Sequence, residues 1–400
     1  MCASTPKTPN RHIGRADIVI LALVSLLLTA SPGQAAQGVY ADEVVVGTHV
    51  DLSGPLSSWG VAVRNGIEMA FEEANEAGGV NNRTLRLVTK DDGYAEERAT
   101  QAVRDLVENE NAFAILSPLG TQTSHAAAAV ARENNFLYLF PVTGPSNTAV
   151  PQSPFHFSLA QTIQDEITTG VRRVLETRPG NVAIMAPGDE FGHAIRAGAK
   201  AQTEAMGAEI IADITIARDA SDYSFALRWL RERDIDIIVV GTIGTETIGI
   251  MQAARQLRWS PTFLCASSCY TPELAALGGE IVEGLYAVGQ IPIPYTGDRL
   301  LGEWARNYET NFGMVASSQA LIAYRNARLF LNVLNRVGRT PTPANFRHAL
   351  ETLGPYTDPL IDIPPIIFSA EDHSGQQDVF LAQARRGRWV IVPQISPTRL

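Results

Sequence analysis

Two short runs carry the residue types suited to gripping a small anion. The first is Leu119-Gly120-Thr121-Gln122-Thr123, which follows the apolar stretch Ala112–Leu116. The second is Pro141-Val142-Thr143-Gly144, which follows the apolar stretch Phe136–Phe140. Each reads as a turn leaving a β-strand. Gly and Thr at such a turn offer backbone N–H groups and hydroxyls to a ligand, and a helix N-terminus adds a favourable dipole for negative charge. Between the runs, Ser124–Glu133 is Ala-rich and free of breakers, which predicts a helix. A strand-turn-helix-strand-turn unit sets both turns at the carboxyl edge of one parallel sheet, where open α/β sheets bind ligands.

The elements that must hold these turns in place recur along the whole chain. Val44–His49 reads as an apolar strand that ends in the polar turn Asp51–Ser58. Val63, Ile67, Ala70, Phe71 and Ala74 then recur at helical spacing until Gly78-Gly79. Strand Leu85–Lys90, ending at Asp91-Asp92, and helix Glu96–Glu108 lead to the turns. Past Pro151–Pro154 the alternation restarts with helix Gln164–Glu176, strand Val182–Ala186, helix Gly192–Met206 and strand Glu209–Ile216. Helix Tyr223–Arg233, strand Ile235–Val240, helix Glu246–Leu257 and strand Thr262–Cys265 continue it. Helices Arg299–Phe312 and Ser317–Arg336 follow a Pro-rich passage, and a hairpin turning at Arg386-Gly387 closes the chain. Such alternation, run twice, predicts an α/β protein of two doubly wound parallel-sheet lobes.

Catalytic chemistry finds little support. The chain has no G-x-G-x-x-G after the first strand, no G-x-x-x-x-G-K-[ST], no G-x-S-x-G and no H-E-x-x-H. His49, His125, His156, His193 and His373 lie in separate segments without metal-ligand spacing, so no metal and no cofactor is implied. Asp91-Asp92 could hold Mg²⁺ in a phosphotransfer enzyme, but without a phosphate loop a strand-end turn pair is the better reading. An enzyme on a doubly wound fold is the rival class.

Composition narrows the setting. Lys7, Arg11 and Arg15 precede the uncharged apolar run Ile18–Ala30, followed by Ser-Pro-Gly-Gln-Ala-Ala. This is the pattern of an export signal over residues 1–41, with cleavage expected after Ala35 or after Ala41, so the mature protein is expected to be exported. The formal charge is −10, and removing a segment with three basic residues and one acidic residue leaves −12. So acidic a chain argues against nucleic acid and anionic lipid as partners. Cys265 and Cys269 either pair in an oxidising compartment or serve as small buried hydrophobes, and the spacing alone does not choose.

Taken together, these motifs resemble the substrate-binding proteins of branched-chain amino acid ABC transporters, with the type I periplasmic, or Venus flytrap, fold. The residues that carry the likeness are Val46-Gly47, Leu52-Ser53-Gly54-Pro55, Trp59-Gly60, Gly78-Gly79-Val80-Asn81 and Asp91-Asp92. Gly120-Thr121-Gln122-Thr123, Pro141-Val142-Thr143-Gly144, Glu190-Phe191-Gly192 and Gln252-Ala253-Ala254-Arg255 complete it. The resemblance implies lobes of residues 42–160 plus 291–375 and 161–290 plus 376–400, joined by crossover strands near His156–Ala160, Gly284–Gln290 and Gln376–Val379. It further implies a monomer that closes over a small carboxylate, amide or amino acid and presents it to a membrane permease. A sensor domain using the same fold is the alternative within this class.

Carried over residue by residue, the resemblance implies a first-lobe grip made by Gly120, Thr121, Thr143 and Gly144, with backbone from Leu119 and Val142. Trp59 would cover the apolar part of the ligand or simply pack. The second lobe departs from the family. Phe191 and Ile243 stand where tyrosines are common, and Ser267 stands where an acidic side chain is expected to hold an ammonium. An ammonium buried without an acidic partner is costly, so the cage is absent or rebuilt from Asp189, Glu190 or Glu246. The expected ligand is therefore a carboxylate or amide with an apolar or aromatic body, with leucine and valine poor ligands.

Overall fold

A computed structural model describes residues 1–2, 36–143, 153–218, 220–295, 297–361, 363–375 and 378–393. The apolar export run Ile18–Ala30, Ala35 and the proposed grip residue Gly144 lie outside these residues, as do Gln376 and Gln377 of the third crossover.

The first sheet is five-stranded and parallel, in the order β2-β1-β3-β4-β5. Its strands are β1 (Glu43–Val50), β2 (Thr84–Asp91), β3 (Ala114–Leu116), β4 (Leu137–Leu139) and β5 (His156–Phe157). Seven of the eight β1 residues are buried, as a strand covered on both faces requires. Helix α1 (Ser57–Glu76) turns Val63, Ile67, Ala70 and Phe71 inward. It stops where Gly78 and Gly79 take positive φ. Helices α2 (Glu96–Glu108) and α3 (Thr121–Glu133) cover the opposite face.

The second sheet has seven strands in the order β12-β11-β10-β9-β8-β6-β7. Strands β6 (Val182–Pro187), β7 (Ile210–Ile216), β8 (Ile237–Val240), β9 (Thr262–Cys265) and β10 (Tyr286–Gly289) run parallel. The terminal hairpin, β11 (Phe380–Arg385) and β12 (Arg388–Ile391), adds antiparallel strands at one edge. Helices α4 (Ile163–Thr177), α5 (Glu190–Ala205), α6 (Ser224–Arg231) and α7 (Gly244–Gln256) alternate with these strands. Helix α8 (Pro272–Gly278) follows β9 and was not expected; Thr271 caps it by accepting from the Leu274 N–H, and Pro272 opens it.

The chain then returns to the first core. Helices α9 (Arg299–Phe312), α10 (Ser318–Val337) and α11 (Pro343–Glu351) contribute Trp304, Tyr308, Leu321, Phe330 and Phe346 to the buried cluster that holds Val46, Ile67 and Phe71. Leu159 and Ile291 belong to that cluster, whereas Ile163 and Val288 belong to a cluster of the second sheet. The passages between lobes thus fall just after β5 and just after β10. Near the first passage, Ser158 receives the Gly375 N–H and donates its own N–H to His373. This is the two-lobed type I architecture joined by crossover strands. Among the described residues no helix is long and apolar enough to cross a membrane.

Candidate ligand site

The two turns come together as neighbours. Leu119 and Val142 form a parallel bridge, and the Val142 N–H donates to Pro118 at 2.8 Å. The hydroxyls of Thr121 and Thr143 lie 2.9 Å apart. Helix α3 begins at Thr121, earlier than the Ala-rich stretch indicates, because Gly120 serves as its N-cap. Glycine is required there: φ is +105°, and a Cβ would meet Thr123 Oγ1 at 2.5 Å and the Tyr94 ring at 2.7 Å. No side chain caps this helix, so its first N–H groups remain for a ligand.

A cavity of about 100 Å³ opens between the lobes at these turns. Its lining includes Trp59, Leu119, Gly120, Thr121, Val142 and Thr143 from the first lobe, and Phe191, Ile243 and Ser267 from the second. Every described residue that the resemblance places in the grip or opposite it on the second lobe therefore lines one cavity, whereas Asp189, Glu190 and Glu246 do not. Trp59 lines the cavity and also packs against the first core. The wall is mostly apolar, with Leu56, Ile163, Tyr270, Ile291 and Ile322 adding to it.

The charges on this wall are positive. Arg218 and Arg325 line the cavity, and no carboxylate does among the described residues. The acidic side chains considered as a rebuilt ammonium cage are engaged elsewhere. Asp189 caps α5 through the Gly192 N–H and pairs with Arg218 at 2.6 Å. Glu190 bonds His125 across the cleft. Glu246 accepts the Ile243 N–H at 3.1 Å and so caps α7. Burial raises the Glu246 carboxyl above its usual range.

Glu166 stands behind Ser267, fully buried. It accepts the backbone N–H and the hydroxyl of Ser267, each at 3.0 Å, and the Gln290 amide. Burial pushes this carboxyl up to about 7 even though those bonds pull it down. Ser267 and Ser268 sit on a short loop pinned at both ends, because Cys265 and Cys269 are joined in a disulfide.

Several contacts close the lobes on each other. The Arg218 guanidinium lies 5.5 Å from the Tyr94 ring of the first lobe and 5.7 Å from the Phe191 ring of the second. Ser318 donates its hydroxyl to the Tyr270 carbonyl at 3.1 Å, and Ile243 packs against the first core.

Sequence reasoning missed Arg218, Gln319 and Arg325. Arg218 lies on a loop whose residue types signal nothing. Arg325 did leave a mark, since it falls between Leu321 and Leu329 at four-residue spacing, inside the buried stripe of α10. Burial lowers it to about 10 even with Asp358 nearby.

Comparison with known proteins gives a consistent picture. A family described as periplasmic binding protein matches residues 43–388. The leucine-specific-binding protein of Salmonella typhimurium is 22% identical over 274 residues, which is 68% of this chain and 72% of that protein. A fatty acid ABC transporter substrate-binding protein from Thermomonospora curvata superposes with a TM-score of 0.80 at 19% identity, covering 90% of this chain and 94% of its own. An ABC transporter solute binding protein from R. palustris, in complex with benzoate, gives 0.77 at 17% identity, covering 88% and 95%.

Proposed function

Because the chain belongs to the periplasmic binding protein family, we propose that it is the extracytoplasmic solute-binding component of an ABC importer. Its ligand is a small carboxylate with an apolar or aromatic body. It is not an enzyme, acts as a monomer, and passes its ligand unchanged to a membrane permease. The lobes are residues 42–160 plus 291–375 and 161–290 plus 376–400. Export cleavage after Ala35 suits the mature chain better than cleavage after Ala41, because Val39 is buried and bridges Val44.

One observation carries the ligand class: the Gly120, Thr121 and Thr143 cradle faces a cavity lined by two arginines and by no carboxylate among the described residues. A carboxylate gains hydrogen bonds from the cradle and positive charge from Arg325 in the same cavity, the charge of Arg218 being largely balanced by Asp189. An amino acid would bring an ammonium into the same field with no acidic partner, at a cost of several kcal/mol. The relatives that bind a fatty acid or benzoate support this choice, and the leucine-specific relative supports the competing one. In the mechanism, the ligand docks on the first lobe and Phe191, Ile243 and Arg218 close over it. Closure follows because the ligand contacts both lobes only in the closed form, so its differential affinity shifts the population.

The test is a thermal-shift screen of the mature chain with benzoate, hexanoate, their amides and leucine. A ligand at 100 times its Kd stabilises by about 2.7 kcal/mol. Stabilisation by the acids and not by leucine is expected. Tight leucine binding with no response to the acids overturns the ligand assignment.

A further inference from the structure

The α10 wall of the cavity presents Ser318, Gln319, Ile322, Arg325 and Asn326, spaced as one helix face. Nearly every polar side chain on this face is engaged. Ser318 donates to the Tyr270 carbonyl. Asn326 donates to Ser117 Oγ and to the Phe140 carbonyl, and its own oxygen receives the Arg325 guanidinium at 3.1 Å. Gln319 differs. It is 5% exposed, its Oε1 is buried without a hydrogen-bond partner, and it lines the cavity.

A carboxamide in that position is costly unless something completes it. The adjoining residues of α10 show the apolar alternative, since Ala320, Leu321 and Ala323 fill the same helix turns with core side chains. Gln319 lines the ligand cavity, a space that can admit a partner. The carboxylate cradle lies on a different wall, at the turns after β3 and β4, so a ligand gripped there reaches Gln319 with another part of its body.

From this placement we propose that Gln319 forms a second polar subsite that reads a hydroxyl group on the body of the ligand. A hydroxyl both donates and accepts, so it satisfies the carboxamide in either orientation of its terminal atoms. A carboxylate there would bring a second buried charge that a neutral carboxamide does not balance, and an alkyl group would leave the carboxamide unmatched. The transported class then narrows to hydroxylated apolar acids. This inference rests on the carboxylate reading of the site.

Isothermal titration of the mature wild-type chain and Gln319→Leu with benzoate and its three monohydroxy isomers tests it. In the wild type, at least one isomer is expected to bind about tenfold or more tightly than benzoate, the value of one well-placed buried hydrogen bond. In Gln319→Leu that ratio is expected to collapse to within about twofold. Gln319→Met, read the same way, covers the case in which the leucine variant melts early. If no isomer exceeds benzoate in the wild type, or if the ratio survives both substitutions, Gln319 is a packing residue. If none of the acids binds, the carboxylate reading itself fails and takes this subsite with it.

Discussion

Ser267 gives both its backbone N–H and its hydroxyl to the carboxyl of Glu166, at 3.0 Å each. The acidic group missing from position 267 is thus close by, but it does not line the cavity and is occupied in holding the serine. Gln290, at the end of the β10 crossover, bonds the same carboxyl. One buried glutamate therefore couples a cavity-lining loop to a passage between the lobes.

Glu166 should make stability depend on pH. Burial holds its folded value near 7, above the ordinary 4.5. A raised value means that the folded state keeps a proton the unfolded state has lost. The contribution is complete below pH 4.5 and is lost as pH rises through 7, over a range worth roughly 3 kcal/mol. Glu166→Gln removes this titration while leaving an oxygen to accept from Ser267. Chemical denaturation from pH 4.5 to 8 should give the variant a flatter profile than the wild type. Parallel profiles would show that Glu166 titrates normally.

Arg218 is placed to hold the closed form, since it lies over Tyr94 of one lobe and Phe191 of the other while pairing with Asp189. Cation–π contacts of this partly buried kind contribute about 1–2 kcal/mol. Arg218→Ala should weaken ligand binding by roughly 5- to 30-fold. Small-angle scattering with ligand at a fixed subsaturating concentration should report a larger radius of gyration. Arg218→Lys should recover little, because an ammonium lacks the flat face that stacks on two rings. Unchanged affinity in both variants would remove Arg218 from the closure mechanism.

The legible and illegible parts of this fold have different physical origins. Helix Glu96–Glu108 and strand Thr262–Cys265 were read to the residue, because each has strong periodicity or an apolar run with clear flanks. The cradle was legible because Gly120 and Thr121 have few other reasons to follow a buried strand. Helix α11 escaped notice because it is short and announced only by Thr342 and Pro343. The cavity's two arginines and its glutamine escaped for another reason. Arg218, Gln319 and Arg325 come from a loop and a distant helix that folding alone brings to the cradle, and no local pattern encodes that meeting. The departure from the family's aromatic and acidic side chains was visible at Phe191, Ile243 and Ser267, but the engagement of Asp189 and Glu190 with Arg218 and His125 required their partners to be seen.

The Cys265–Cys269 disulfide closes a short loop that presents Ser267 and Ser268 to the cavity. Loop-closure entropy for so small a ring gives about 2 kcal/mol of stabilisation. A Cys265→Ser, Cys269→Ser double variant should lose about that much in denaturant unfolding. Its ligand affinity should fall as well, because the serine loop must then be ordered on binding. A loss of stability with unchanged affinity would limit the disulfide to a structural role.

Gly120 offers the sharpest separation of cradle from scaffold. At φ of +105° any Cβ is strained, and this one would also press on Thr123 Oγ1 and on the Tyr94 ring. Gly120→Ala should therefore cost at least about 2 kcal/mol of stability and displace Thr121 from Thr143. Thr121→Val, by contrast, keeps the shape and removes only the hydroxyl that lies 2.9 Å from Thr143. One lost hydrogen bond to a charged group is worth about 1.5–3 kcal/mol, so its affinity for benzoate or hexanoate should drop roughly 10- to 100-fold at near wild-type melting temperature. Full affinity in Thr121→Val would mean that the acid is held elsewhere, with the guanidiniums of Arg218 and Arg325 the next groups to substitute.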